Sequence, residues 1–193
     1  LLINTGNANA GNGAMGITAA EKCCDVLADM TSVNRSDVLP FSTGVIGEPL
    51  DADRIAAALP SAIYDLGADN WQRAAAAILT TDTRPKLRTI EVNVDGKVCR
   101  ITGITKGAGM ICPNLATMLA FIATDAEIEQ SSLDTLLRRA NSVSFNRITV
   151  DGDTSTNDAV TLSATGLSGV RVGADTHGFA EALSTLMIDL AQD

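Results

Sequence analysis

The sequence predicts an α+β fold, because helical and strand patterns follow one another without the strict alternation of a parallel α/β protein. Apolar residues recur at helical spacing in several segments, whereas Ile90, Val92 and Val94 alternate with polar residues as in a half-buried strand. The chain has 193 residues, 46% of them hydrophobic, which allows a sizeable core. We therefore predict a single domain over residues 1–193.

The first half is predicted to begin with a strand, Leu1-Leu2-Ile3-Asn4, and to continue with helices. Ile17, Ala20, Cys24 and Leu27 recur at helical spacing, and Thr18 to Glu21 forms a capping box for that helix. Val38-Leu39-Pro40-Phe41 is typical of an extended segment, since proline disfavours a helix interior. The next two helices are predicted over Asp51 to Leu59, which stops before Pro60, and over Asp69 to Leu79.

The second half is predicted to open with a hairpin, since Asp95-Gly96 separates the strand at Ile90 to Val94 from its return over Val98 to Ile101. Thr117 to Thr124 is apolar enough for a buried strand. The remaining elements are a helix capped by Ser131, a strand around Val160 and Leu162, and a last helix with Phe179, Leu183, Leu186 and Leu190 on one stripe.

Charge and cysteine content exclude several classes of function. A formal net charge of −9 argues against non-specific binding to nucleic acid or to an anionic membrane. No apolar run approaches the roughly 20 residues of a membrane span, and we expect a cytoplasmic protein. Cys23, Cys24, Cys99 and Cys112 form no C-x-x-C pair and predict free thiols, while a lone histidine, His177, argues against a metal site.

The segment from Lys106 to Leu119 is typical of a self-cleaving precursor. A glycine-rich loop, which permits strained backbone geometry, leads to Ala116 and then to Thr117 at the head of an apolar run. Cleavage between these two residues would leave Thr117 with a hydroxyl nucleophile and an α-amine. The unperturbed pKa of an α-amine, about 7.7–8.0, suits a base near neutral pH. From spacing alone, an ordinary threonine at the start of a strand remains the alternative.

Further candidate residues depend on the interpretation of Thr117. In Ser42-Thr43-Gly44-Val45-Ile46-Gly47, Thr43 and Gly44 could donate hydrogen bonds to the oxyanion of an acyl transfer, and a plain glycine turn is the alternative. Lys106 could hold a substrate carboxylate or be a solvated surface lysine. Thr80-Thr81-Asp82-Thr83 is either a turn at a helix end or a polar wall of a pocket.

Three other patterns carry weaker signals. Gly11-Asn12-Gly13-Ala14-Met15-Gly16 matches G-x-G-x-x-G, but Thr5 to Ala10 separates it from the first strand. The stretch Asn4 to Ala10 is typical of a polar loop with amide side chains turned to the backbone or to a ligand. Cys112 and His177 are a weak thiol–base pair. The acidic run from Asp151 to Asp158 lacks the calcium-loop register and predicts a capped polar turn.

Taken together, these motifs resemble the ornithine acetyltransferase family, also called glutamate N-acetyltransferase. The resemblance rests on five segments in the same order: Asn4 to Ala10, Ser42 to Gly47, Thr80 to Thr83, Lys106 to Leu119, and Asp151 to Asp158. It implies a self-processing, N-terminal-nucleophile-type architecture of layered sheet and helix, cut between Ala116 and Thr117. Residues 1–116 would then belong to an α subunit and residues 117–193 to a β subunit, in an α2β2 assembly.

The resemblance also implies the chemistry. Thr117 takes an acetyl group from N-acetylornithine and passes it to glutamate, in arginine biosynthesis. Thr43 and Gly44 form the oxyanion hole, while Thr80, Lys106 and Thr117 contact substrate. No cofactor is implied, although acetyl-CoA serves some members as the acetyl donor. The family protein is longer at both ends, so this sequence is expected to be an internal part of a longer chain.

Two other functions stay open at the level of sequence. A self-cleaving hydrolase of the aminopeptidase type would use the same threonine to pass the acyl group to water. A nucleotide-binding module would instead use Gly11 to Gly16.

Overall fold

The computed structural model describes residues 1–108, 118–148 and 155–193. The chain divides into two compact units, residues 1–80 and residues 81–193. Helices and strands occur in both units, which confirms the predicted α+β fold class. The point between residues 116 and 117 lies outside the described residues, so the division into α and β subunits stays a prediction.

The first unit is built around a parallel pair of strands joined by a helix. Its elements are β1 (Leu2–Asn7), α1 (Gly13–Thr31), β2 (Pro40–Val45), α2 (Ala52–Tyr64) and α3 (Trp71–Ala77). β1 and β2 pair in parallel, with Gly6 opposite Gly44. A crossover helix is what a parallel connection requires, and α1 supplies it. Its buried face packs Cys24 and Ala28 against Val38.

Two predicted helix boundaries in this unit are wrong. α1 begins at Gly13, so Thr18 lies inside the helix and caps nothing. Met15, in the first turn, is 73% exposed, so its apolar side chain does not belong to the buried stripe of the helix. The periodic pattern of the sequence therefore does not extend to the true start of the helix. α2 continues through Pro60 to Tyr64. Pro60 lies on the exposed face, where water can hydrogen-bond the carbonyl that its missing N–H leaves unpaired.

The second unit is a mixed sheet covered by helices. Its elements are β3 (Lys86–Val94), β4 (Lys97–Lys106), β5 (Leu119–Thr124), β6 (Glu127–Ile128), α4 (Gln130–Val143), β7 (Ala159–Ala164), β8 (Arg171–Val172) and α5 (His177–Gln192). The main sheet has the order β3-β4-β5-β7, antiparallel except for the parallel pair β5–β7. β6 and β8 form a separate parallel pair.

The hairpin and the last helix agree with the sequence. β3 and β4 are longer than predicted, and their turn places Asp95 and Gly96 at positive φ, as a type I′ turn requires. The predicted stripe of α5 is buried in the core of this unit, with all four side chains at most 1% exposed. Gly103 allows that approach, because a Cβ at this position would lie 2.8 Å from Cδ1 of Leu190.

Of the other elements predicted in the second unit, two strands are confirmed and one helix cap is wrong. The strand around Val160 is confirmed as β7. The predicted cap of α4 is wrong, because Ser131 lies inside the helix and its N-cap, Glu129, makes no side-chain cap hydrogen bond. Leu119 to Thr124 form the predicted buried strand, but Thr117 lies outside the described residues. Within residues 1–108, 118–148 and 155–193, the helices are too short or too polar to traverse a bilayer.

Candidate active site

The predicted nucleophile, Thr117, belongs to the segment between β4 and β5, residues 107–118, which is called the connection below. This connection begins directly after Lys106. Lys106 ends β4 and pairs with Leu119, the first residue of β5. Its side chain is only 2% exposed, so the interpretation as a solvated surface lysine is wrong. Both strands are central in the sheet, and they place a buried ammonium where the chain departs towards Thr117.

A buried carboxylate organises this end of the connection. The side chain of Asp82 is fully buried, with Oδ2 3.9 Å from Nζ of Lys106 and Oδ1 3.8 Å from Nζ of Lys86. Asp82 Oδ1 also accepts a hydrogen bond from the Gly107 N–H at 2.6 Å. Lys86 Nζ donates to the Gly107 carbonyl at 2.6 Å. Gly107 is therefore held through both its N–H and its C=O at the start of the connection.

The electrostatics of Lys106 reflect this burial. Desolvation lowers the pKa of Lys106, and the positive charge of Lys86 lowers it further. The carboxylates of Asp82 and Asp158 act in the opposite direction and raise it. The ammonium form of Lys106 is thus favoured by two carboxylates. Asp82 lies at the start of the connection and Asp158 at its end.

A cavity of about 340 Å³ opens beside this cluster. Its walls combine the charged groups of Asp82, Lys86 and Lys106 with apolar side chains, among them Met118 and Phe145. Polar and apolar groups share this wall, as a site that must orient a polar small ligand requires. The buried ammonium of Lys106 and the half-buried ammonium of Lys86 suit this cavity to an anionic ligand such as an amino-acid carboxylate.

A second carboxylate holds the other end of the connection. Asp158 Oδ1 accepts a hydrogen bond from the Met118 N–H at 2.6 Å. Thr105 Oγ1 donates to the Leu119 carbonyl at 3.0 Å, which ties the start of β5 to β4. Ala116 and Thr117 lie outside the described residues, so their predicted cleavage and nucleophilic roles remain proposals.

Three residues of this site were missed as site residues from the sequence. Asp82 was noted only as part of a threonine-rich turn, and Asp158 only as part of a polar run. Lys86 carried no motif, although it pairs with Thr105 in the β3–β4 register, one residue from Lys106. That register is the one signal that could have placed Lys86 near the site.

The predicted oxyanion-hole residues lie in the first unit. Thr43 is buried in β2, with 2% of its surface exposed. Gly44 has φ +134°, and a Cβ there would lie 2.3 Å from the carbonyl carbon of Gly6. The glycine is therefore required by the close approach of β1. The oxyanion role of Thr43 and Gly44 stays a prediction, as does substrate contact by Thr80.

Replacing Gly44 by alanine is expected to destabilise the first unit by about 2–4 kcal/mol, because positive φ and a backbone clash both oppose a side chain. Gly47→Ala is the matched control, since Gly47 has φ +84° but nothing within 4 Å of the added Cβ. It should cost only about 1 kcal/mol. Urea unfolding monitored by circular dichroism measures both, and equal losses would show that the clash is relieved without cost.

The polar loop predicted over Asn4 to Ala10 is only partly right, because Asn4 to Asn7 belong to β1. The amide side chains of this segment do turn to the backbone, as predicted. Asn9 Nδ2 donates to the Gly16 carbonyl, while Asn7 Nδ2 and Asn12 Nδ2 both donate to the Glu48 carbonyl. β1 extends to Asn7, so the gap to the G-x-G-x-x-G segment is shorter than the sequence suggested. A nucleotide-binding role for that segment stays an untested prediction.

The described cysteines and His177 show no arrangement of a reactive thiol beside a base. Cys23, Cys24 and Cys99 are free and buried, and burial raises the pKa of each thiol. His177 begins α5 with Nδ1 3.3 Å from Glu181, and Cys112 lies outside the described residues. Over the described parts of the chain, no three acidic, histidine or cysteine side chains cluster as metal ligands would.

Comparison with known proteins decides the family. A model of the ArgJ family matches residues 1–193, the whole of this sequence. The chain belongs to the ArgJ family. This confirms the resemblance to ornithine acetyltransferases that the five motifs indicated. The matching motifs include the described residues Thr43, Gly44, Thr80 and Lys106.

Two curated ArgJ relatives are similar along most of the chain. Arginine biosynthesis bifunctional protein ArgJ of Pseudomonas syringae pv. tomato is 51% identical over 194 residues, covering 100% of this chain and 48% of the relative. The protein of the same name from Pseudomonas fluorescens is 54% identical over 166 residues, covering 86% of this chain and 41% of the relative. The chain thus spans about half the length of the curated ArgJ relatives it matches.

A solved ArgJ structure supports the fold. The crystal structure of arginine biosynthesis bifunctional protein ArgJ from Bacillus halodurans matches with a TM-score of 0.52 and 36% sequence identity. The match covers 58% of this chain and 59% of the solved chain. The α+β architecture described above is therefore that of an ArgJ protein.

Proposed function

We propose that the protein transfers an acetyl group from N-acetylornithine to glutamate in arginine biosynthesis. The family supports this reaction, and the names of its curated relatives place those proteins in arginine biosynthesis. The structural observation that carries the proposal is the buried Lys106, held beside Asp82 at the start of the connection to Thr117. A cavity of mixed polar and apolar lining with a buried ammonium suits the carboxylate that both substrates share.

The proposed nucleophile is Thr117, released by self-cleavage of the Ala116–Thr117 bond. Its hydroxyl attacks the acetyl carbonyl of N-acetylornithine, and its own α-amine accepts the hydroxyl proton. The tetrahedral intermediate collapses, the C–N bond breaks, and that proton passes to the nitrogen of the departing ornithine. Glutamate then attacks the acetyl ester through its neutral amine, which restores the threonine hydroxyl and yields N-acetylglutamate.

The other predicted residues receive supporting roles in this scheme. Thr43 and Gly44 stabilise the oxyanion, a contribution typically worth about 3–4 kcal/mol per donor in acyl transfer. Lys106 binds the substrate carboxylate, and Thr80 contacts the substrate. The α and β segments stay together after cleavage, in an α2β2 assembly. No cofactor is needed, and acetyl-CoA is a possible second donor.

Replacing Lys106 by methionine is expected to lower kcat/KM for N-acetylornithine by about 30- to 1,000-fold, because a buried carboxylate would lose its counter-charge. Methionine preserves the length of the side chain and its packing in the cavity. Lys97→Met, on the exposed start of the same strand, is the matched control and should leave kcat/KM unchanged. Steady-state assays of N-acetylglutamate formation by the whole gene product measure both variants.

The assay also separates the proposal from the alternative hydrolase. Acetyl release that requires glutamate supports the transferase, whereas free acetate formed at the same rate without an acceptor favours the hydrolase. An unchanged kcat/KM in Lys106→Met would remove this lysine from the binding site and leave the transferase proposal to the other residues.

A further inference from the structure

Lys86 is the second ammonium group of the cavity beside Lys106, and the proposed reaction does not use it. Its side chain is half-buried and lines the cavity of about 340 Å³ together with Lys106. Lys86 Nζ donates to the Gly107 carbonyl at 2.6 Å and lies 3.8 Å from Asp82 Oδ1, which is beyond hydrogen-bond length. An ammonium has three N–H donors, and no other described residue accepts a hydrogen bond from this one. Lys86 can therefore bind a ligand and keep its bond to Gly107.

The charges around the cavity favour a ligand with more than one anionic group. Asp193 lines the cavity, but its carboxylate forms ion pairs with Arg84 and Arg88, which offset its charge. Asp158 favours the charged form of the deeper lysine, but it is not among the residues that line the cavity. The two ammonium groups therefore share one lining carboxylate, that of Asp82, and a second anionic group on the ligand would balance them.

The spacing of the two ammonium groups suits a dicarboxylate of the size of glutamate. Lys86 and Lys106 lie against different oxygens of Asp82, at 3.8 Å and 3.9 Å. These two distances, with about 2.2 Å between the oxygens of a carboxylate, keep the two Nζ atoms within about 10 Å of each other. The carboxyl carbons of extended glutamate are about 5 Å apart, because four bonds of about 1.5 Å join them. With N–O contacts of about 2.8 Å at each end, glutamate can reach both ammonium groups.

We propose that Lys86 determines the acceptor of the reaction by binding the side-chain carboxylate of glutamate, while Lys106 binds the α-carboxylate. The inference rests on the proposed function and adds to it the group that distinguishes the acceptor from the donor. N-acetylornithine has one carboxylate, and its side chain ends in an ammonium that the charge of Lys86 repels. Lys86 therefore contributes to the half-reaction in which glutamate takes the acetyl group, and not to the half-reaction of the donor.

The test compares the two half-reactions in a Lys86→Met variant of the whole gene product. In a ping-pong cycle, kcat/KM for each substrate reports the half-reaction of that substrate alone. Lys86→Met should lower kcat/KM for glutamate by about 10- to 100-fold, because a charge-assisted hydrogen bond to a desolvated carboxylate is lost. The value for N-acetylornithine should not fall. Lys97→Met, at the exposed start of β4, is the matched control and should change neither value.

A second acceptor separates a binding role of Lys86 from a structural one. Glutamine has the shape of glutamate without the side-chain charge, so the wild-type protein should prefer glutamate by about 10-fold or more. Lys86→Met should use the two acceptors about equally, whereas Lys86→Arg keeps a cation and should retain part of the preference. A displaced Gly107 would instead lower the rates with both acceptors and with N-acetylornithine.

The outcomes distinguish this inference from the proposed function. An unchanged preference for glutamate in Lys86→Met overturns the role of Lys86, and so does an equal loss in both half-reactions. Equal use of glutamate and glutamine by the wild-type protein overturns it without any variant, which covers the case in which Lys86→Met does not fold. If the wild-type protein shows no acetyl transfer from N-acetylornithine, the proposed function itself fails. Circular dichroism of each variant ensures that the proteins compared are folded.

Discussion

Replacing Thr117 by alanine is expected to leave the gene product as one uncut chain without acetyl transfer. The methyl group cannot attack the preceding carbonyl, so no N→O shift begins and no α-amine is released. The same change removes the nucleophile of the transfer, and the rate should fall by on the order of 10⁴-fold or more. Intact mass under denaturing conditions and N-acetylglutamate formation measure the two effects separately.

Two variants frame that experiment. Thr117→Ser keeps a hydroxyl, so it should still be cut and retain part of the activity. Thr135→Ala removes an exposed hydroxyl of α4 that bonds only within its own helix, and should change neither readout. Fragments meeting between residues 116 and 117 in Thr117→Ala, or normal transfer by it, would remove Thr117 from the mechanism.

The elements that the sequence predicted well are those governed by local rules. The β3–β4 hairpin follows from a two-residue turn with positive φ, and α5 from an apolar stripe that repeats along its length. The boundaries that failed depended on context. Pro60 is tolerated inside α2 because that face of the helix is solvated. The start of α1 was missed because its first turn is exposed and lies outside the buried apolar stripe.

The site was only partly predictable, because its contacts join distant segments. A motif placed Lys106 near the nucleophile, but only the sheet shows that Lys106 is buried beside Asp82. Asp82 and the Gly107 N–H are 25 residues apart, and Asp158 and the Met118 N–H are 40 residues apart. Such pairs follow from strand order and register, which no periodicity in the sequence reports.

Replacing Asp82 by asparagine is expected to lower the free energy of unfolding by about 3–5 kcal/mol, because the charge that faces the buried Lys106 and the half-buried Lys86 is lost. The amide oxygen can still accept from the Gly107 N–H, so the loss reports charge rather than shape. Urea unfolding of the whole gene product measures it. Asp175→Asn, at an exposed ion pair with Arg139, is the matched control and should change stability by at most about 1 kcal/mol.

A double-mutant cycle shows whether Lys106 is the partner that matters. If the cost of Asp82→Asn comes from leaving the Lys106 ammonium in a low-dielectric site, removing that ammonium should relieve it. Asp82→Asn combined with Lys106→Met should then be more stable than Asp82→Asn alone. Additive losses would mean that Lys86, the other ammonium beside Asp82, carries the effect. Lys106 would then be stabilised in its buried position by apolar packing and by the charge of Asp158. The carboxylate that keeps this proposed substrate-binding lysine charged would lie at the other end of the connection.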